Sequence, residues 1–127
     1  MSPTLELELP FPPSVNHLWR TRVWGKRSIT YMSAEGKKYR RDVALLVTKD
    51  SRHKTPIEGR LAMVIVTHRC DKRVFDLDNT LKSTLDSLQS AGVYKDDSQI
   101  DSLHITRGNI DPEKKGYLNV AITRMVG

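Results

Sequence analysis

The sequence predicts a mixed α+β fold: one small domain, residues 1–127, built on a mixed β-sheet with two main helices. Three observations carry this. Leucines alternate with polar residues near the N-terminus, an apolar β-branched run lies mid-chain, and two separate stretches carry apolar residues at helical spacing. A chain of 127 residues suits one core and leaves no room for a second.

Leu5, Leu7 and Leu9 alternate with Thr4, Glu6 and Glu8, which predicts a strand with one buried face. Pro10, Pro12 and Pro13 end it, because proline cannot donate to a ladder. Trp19 to Met32 is basic, with Gly25 between Val23-Trp24 and Ile29-Thr30-Tyr31, and predicts a hairpin or mobile basic loop. Ser33 is placed to cap a helix from Ala34 to about Lys49. Tyr39, Val43, Leu46 and Val47 form its apolar stripe; Lys37, Lys38, Arg40 and Arg41 cover its outside.

Pro56, Glu58 and Gly59 mark a turn, and Leu61 to His68 reads as a central strand. A polar loop, Arg69 to Phe75, leads to a second helix from about Asp78 to Ser90. Leu81, Leu85 and Leu88 are its inner stripe, and Gly92 suits its C-terminal cap. Ile100 to Thr106 and Leu118 to Thr123 predict two further strands. Gly108, Asn109, Asp111, Pro112 and Gly116 supply the turn between them. The whole is expected to gather around one sheet.

The net charge is +6 and the pI about 9.6, so the chain is drawn to polyanions, nucleic acid or an anionic membrane surface. A basic protein that is merely soluble is the plain alternative. Cys70 is the only cysteine, which excludes an internal disulfide and points away from a stapled secreted scaffold. Met1 to Glu8 lacks the basic-then-apolar order of a signal peptide, and the longest apolar run, Leu61 to Val66, is too short to span a bilayer. These features predict a soluble protein of a reducing cytoplasm.

Seven of the ten aspartates lie between Asp71 and Asp101: Asp71, Asp76, Asp78, Asp86, Asp96, Asp97 and Asp101. A basic chain has concentrated its acids in one region. In Asp76-Leu77-Asp78-Asn79, two carboxylates at i and i+2 can converge where a loop enters a helix, with Leu77 directed to the core. For either aspartate alone, helix capping is the better reading. Taken with the later acids, the pair predicts a site for Mg²⁺, a hard ion that prefers oxygen ligands and keeps several waters. Asp97 is the candidate third ligand, although adjacent aspartates on a turn are also ordinary solvated residues. Lys82 and Asp86 follow Asp78 at four-residue steps. They read either as a surface ladder of ion pairs or as a cation beside a metal-bound phosphate with an acid behind it.

Two competitors fail on the residues. An EF-hand loop starting at Asp76 would need glycine at its sixth position, where Leu81 stands, and glutamate at its twelfth, where Ser87 stands. A zinc site finds Cys70 alone and His17, His53, His68 and His104 scattered. His68 reads as a strand-end residue rather than a base.

The block Asp76-Leu77-Asp78-Asn79-x-x-Lys82-x-x-x-Asp86-x-Leu88, followed by Gly92-Val93-x-x-Asp96-Asp97-Ser98-Gln99-Ile100, resembles the RusA family of Holliday junction resolvases. Pro10-x-Pro12-Pro13-Ser14-x-Asn16 is similar to that family's N-terminal signature. Ser33-x-Glu35-Gly36 with Tyr39-Arg40 resembles the start of its first helix. The resemblance covers nearly the whole chain. It implies a dimeric fold that binds four-way DNA junctions and cuts them with Mg²⁺, with Mn²⁺ as a substitute. The essential acids correspond to Asp76, Asp78 and Asp97, and the catalytic-site lysine to Lys82. Relatives can carry a basic residue just before the first acid; this chain has Phe75, with Lys72 and Arg73 nearby to supply the charge.

The expected activity is therefore that of a crossover junction endodeoxyribonuclease in DNA recombination and repair, placing paired nicks in the cytoplasm of a bacterial or phage-infected cell. Asp76, Asp78 and Asp97 would hold the metal and Lys82 would assist at the phosphate. Asn79, Asp86 and Asp96 would orient the ligands from behind. Arg20, Arg22, Lys26, Arg27, Lys72 and Arg73 are the candidate DNA-backbone contacts. Two other readings stand beside this one: a metal nuclease for other branched DNA, and a non-catalytic basic module. Acids facing phosphate would weaken such a module, so the cluster counts against it.

Overall fold

A computed structural model describes residues 4–13, 19–50, 55–73 and 75–125. Among these residues, six strands and two α-helices follow in the order β1 (Leu5–Pro10), β2 (Trp19–Trp24), β3 (Arg27–Met32), α1 (Ala34–Lys49), β4 (Leu61–His68), α2 (Leu81–Ser90), β5 (Ile100–Arg107) and β6 (Tyr117–Arg124). Short 3₁₀ turns at Leu77–Thr80 and Asp97–Gln99 flank α2.

The main sheet has four strands in the order β1-β6-β4-β5. β1 and β4 each run antiparallel to β6, while β4 and β5 are parallel. The expected mixed sheet is present, with two differences. The basic hairpin β2–β3 forms its own two-stranded sheet, closed by a Gly25-Lys26 turn, and does not join the main one. β5 and β6, although consecutive, are not neighbours; β4 lies between them. The parallel β4–β5 pair requires a crossover, and α2 with its flanking turns is that crossover.

Alternation decides the inner face. Leu5, Leu9, Leu61, Met63, Ile65, Leu118, Val120 and Ile122 are buried, and Tyr39, Val43 and Val47 of α1 and Leu88 of α2 cover them. Val64, on the other side of β4, is 44% exposed. Pro10 is the last residue of β1 rather than a residue beyond it, which an edge strand tolerates because no outer partner needs its N–H. Leu46 departs from the expected stripe. It is 38% exposed, because the core-facing arc of α1 runs through Gly36, Tyr39, Val43 and Val47.

Ser33 caps α1 as expected, its Oγ accepting from the Gly36 N–H at 3.1 Å. α2 ends in a Schellman motif. Val93 N–H donates to Leu88 O and Gly92 N–H to Gln89 O, with Gly92 at φ 83°. The predicted helix start at Asp78 is corrected. Residues 77–80 form a 3₁₀ turn, and the α-helix begins at Leu81. The Thr80 hydroxyl closes that turn on Leu77 O at 2.9 Å, and the Thr84 hydroxyl donates to Thr80 O.

Candidate active site

The loop after β4 leaves the carboxyl end of a parallel strand, the usual side for a site in such a sheet. Asp71 shapes the loop by accepting from both the backbone N–H and the Nε of Arg73, each at 2.9 Å. The backbone donor from Arg73 is the largest cause that holds the Asp71 carboxyl below its ordinary range. Arg73 is thereby tied to Asp71, and Lys72 is exposed beside it. The cation at Phe75 is instead Arg107, from the carboxyl end of β5. It donates to Phe75 O at 2.8 Å and lies over the ring. Phe11 packs edge-on against the same ring, with centroids 5.5 Å apart.

Asp76 and Asp78 follow. Asp76 occupies the position before the 3₁₀ turn, but its side chain accepts no capping bond. Asp78 lies inside the turn, and both side chains are exposed. Among the described residues neither carboxylate takes part in an ion pair. The capping alternative for this pair is therefore not what the carboxylates do. Leu77 is only half-buried rather than seated in the core. Asn79 donates its backbone N–H to Asp76 O.

Lys82 and Asp86 face each other on α2 at 3.5 Å. The second acidic segment returns to the same helix. Asp97 N–H donates to the Gln89 side-chain oxygen at 2.9 Å. Partial burial, then a hydrogen bond with Asp96 and the charges of Asp96 and Asp86, push the Asp97 carboxyl above its ordinary value; Lys82 opposes this. Burial first, then the charges of Asp97 and Asp86, likewise raise the Tyr94 hydroxyl. Lys82, Asp86, Tyr94 and Asp97 thus share one electrostatic neighbourhood.

Asp96 does capping work. Its carboxylate accepts from Ser98 N–H at 2.9 Å, and that bond is the main reason its pKa is lowered. Gln99 completes the capping box and goes further. Its oxygen accepts from the backbone N–H groups of Lys95 and Asp96, and its amide donates to Ile57 O and Gly59 O.

Among the described residues, no three of His, Cys, Asp and Glu stand close enough together to hold a metal ion. The fold brings Asp97 to Asp86 and Lys82, and holds Asp76 and Asp78 separately at the head of α2. The candidate donor set, Asp76, Asp78 and Asp97, is all oxygen, the chemistry a hard divalent cation takes, but the structure does not gather the three carboxylates into one site.

Lys26 and Arg27 lie exposed at the hairpin turn, whereas the side chains of Arg20 and Arg22 fall outside the described residues, as do Ser14 and Asn16 of the N-terminal signature. His68 holds the end of β4. Its ring stacks on Tyr117 at 4.4 Å and its Nδ1 donates to Asn109 O at 2.8 Å, a strand-end role as expected. Sequence reasoning missed Arg107 and Gln89, and gave Gln99 no role beyond its place in the Asp96-Asp97-Ser98-Gln99 block. Only Gln99 carried a local signal, the Asp-x-x-Gln spacing of a capping box.

The model of the family described as endodeoxyribonuclease RusA matches residues 10–123. The chain belongs to the RusA family. Similar proteins include a crossover junction endodeoxyribonuclease of Enterobacteria phage HK97, 38% identical over 117 residues and covering 92% of each chain. Proteins of the same description from Enterobacteria phage 82 and Escherichia coli strain K12 are each 34% identical over 122 residues, 96% of each chain. The RusA family match spans both acidic segments, Lys82 and the basic hairpin. Among the described residues no helix of this RusA chain is long and apolar enough to cross a membrane.

Proposed function

We propose that this chain resolves four-way DNA junctions by paired, divalent-metal-dependent nicks, acting as a homodimer on DNA in the cytoplasm. The carrying observation is the pair Asp76 and Asp78. Two exposed carboxylates, free of capping and of ion pairs among the described residues, stand at the head of α2 in a chain of net charge +6. That arrangement disfavours DNA binding unless a cation intervenes. Relatives described as crossover junction endodeoxyribonucleases, alike over almost their full length, support the choice of substrate.

Asp76, Asp78 and Asp97 would hold Mg²⁺, with Mn²⁺ as a substitute. When bound, such an ion neutralises charge at the phosphate and makes a water acidic enough to attack it. Lys82 is half-exposed and only loosely held by Asp86, so its ammonium can reach the scissile phosphate and steady the charge that develops there. Asp86 keeps Lys82 on this face of α2, Asn79 braces the turn that carries Asp76, and Asp96 fixes the turn that carries Asp97. Lys26, Arg27, Lys72, Arg73, Arg20 and Arg22 would contact the DNA backbone. A two-fold dimer presents two such sites, one for each opposed strand.

The test uses a labelled four-way junction and a matching linear duplex, with Mg²⁺ and with EDTA. Asp78→Asn is run alongside. Paired nicks in the junction alone, lost with EDTA and in the variant while binding persists, are the expected result. Wild-type cutting by Asp78→Asn would refute the metal-site assignment. Junction binding without cutting under any divalent metal would make the chain a non-catalytic module.

A further inference from the structure

The basic surface does not stop at the hairpin. β3 runs through Ser33 directly into α1, and an open cleft of about 540 Å³ lies there, lined by Met32, Lys37, Arg40, Arg41, Ala44 and Ser90. At 3.6 residues per turn, Lys37, Arg40, Arg41 and Ala44 fall within an arc of about 100° on α1. Glu35 and Asp42 lie on the opposite side of the helix, where Asp42 accepts from Lys38 at 3.0 Å. The cleft is therefore lined by three cations and no acid.

Two features of this lining work against the isolated fold. Lys37 and Arg41 are like charges at i and i+4, a spacing that destabilises a helix by a few tenths of a kcal/mol. The Arg40 Nε is shielded from solvent and has no hydrogen-bond partner among the described residues. A buried donor left unpaired is costly. Both costs fall away if an anionic oxygen enters the cleft.

We propose that this cleft is a phosphate-binding subsite that holds the DNA backbone away from the cutting centre, with Arg40 as the inner donor and Lys37 and Arg41 as its flanking charges. The proposal rests on the junction-nuclease reading above. Ser90 lies on the same side of α2 as Lys82 and Asp86, two turns further along. The axial separation of Lys82 and Ser90 is about 12 Å, or roughly three to four base pairs of duplex at 3.4 Å each. One DNA arm can therefore span both places.

The experiment measures binding of the full chain to a labelled four-way junction across a salt series in EDTA. It compares wild type, Lys37→Ala/Arg41→Ala, and Lys38→Ala/Lys49→Ala. The last pair removes the same charge from the opposite side of α1. The cleft variant is expected to bind roughly tenfold more weakly, with the slope of log K against log salt reduced by about 2. The control pair should stay near wild type. Arg40→Lys keeps the charge but lacks the inner Nε–H, and should weaken binding with little change of slope. A wild-type slope in the cleft variant, or an equal loss in the control, overturns the subsite. Cutting of the junction by wild type in Mg²⁺ is recorded in parallel. Absent cutting with cleft-dependent binding would refute the nuclease reading and leave the subsite standing; normal cutting with an unchanged slope would refute the subsite alone.

Discussion

Arg107 closes over Phe75 from the neighbouring strand: its guanidinium carbon lies 5.5 Å from the ring centroid, and a terminal nitrogen donates to the Phe75 carbonyl at 2.8 Å. The two residues are 32 positions apart, and the parallel pairing of β4 with β5 brings them together. Asp76 is the next residue in the chain. Arg107 thus grips both the side chain and the backbone that immediately precede the first candidate ligand.

Replacing Arg107 should therefore disturb chemistry more than stability. Arg107→Ala is expected to slow junction cutting by about ten- to a hundredfold, the scale set by small misplacements of reacting groups. The contact is exposed, so the melting midpoint should move little. Arg107→Lys should fail almost as badly, since a point charge cannot both cover the ring and donate along the plane of a fork. Single-turnover cutting at saturating protein, with a thermal melt beside it, checks this. An unchanged rate in Arg107→Ala would mean that Asp76 is positioned without it.

Asp111 organises the turn between β5 and β6. Its carboxylate accepts from the backbone N–H groups of Glu113, Lys115 and Gly116 at 3.0, 3.2 and 2.9 Å. These bonds, that from Glu113 foremost, hold its carboxyl below the ordinary 3.8. A folded value below the unfolded one adds stability that is fully present above 3.8 and lost as the pH falls through the lower folded value. Asp111→Asn keeps an acceptor but not the charge. Its denaturant midpoint should lie below wild type at neutral pH, and the gap should narrow as the pH drops below about 3.8. A gap that stays constant with pH would show that charge plays no part in the turn.

Gly108 admits no side chain. A Cβ there would stand 2.8 Å from both Val66 Cγ1 and His68 Nδ1. The His68 ring cannot withdraw without leaving Tyr117 and Asn109. Gly108→Ala should cost about 1–3 kcal/mol, as overpacking does. Urea unfolding gives the value directly, and a neutral result would mean that the His68 ring can swing clear.

How far the sequence foretold this structure depends on the range of each interaction. The Leu5-Leu7-Leu9 alternation, the run from Leu61, the Ser33 cap and the Gly92 stop are local patterns, and each marks a boundary to within a residue or so. The strand order is not local. Nothing in the spacing of β5 and β6 says that β4 separates them. The same holds within the site. Asp76, Asp78, Lys82 and Asp97 stand out by type and interval, whereas Arg107 sits at a strand end with no pattern around it. The excess of acids also concealed a division of labour. Asp71 and Asp96 serve the backbone of their own turns, and Asp101 pairs with Arg60.

Gln99 is the strongest example of a supporting residue. Its side chain joins four backbone groups, the N–H of Lys95 and Asp96 and the carbonyls of Ile57 and Gly59, at 2.9 to 3.1 Å. It anchors the turn bearing Asp97 to the segment before β4. Gln99→Ala should cost about 1–3 kcal/mol through the partners it strands. Gln99→Glu is the sharper variant. It retains the acceptor for Lys95 and Asp96 but sets a carboxylate oxygen against two carbonyls. It also adds a charge close to Asp96 and Asp97. Cutting should therefore fall further in Gln99→Glu than in Gln99→Ala when both are assayed well below their melting midpoints. The opposite order would show that Gln99 matters through packing alone, and that the position of Asp97 does not depend on the Ile57 and Gly59 carbonyls.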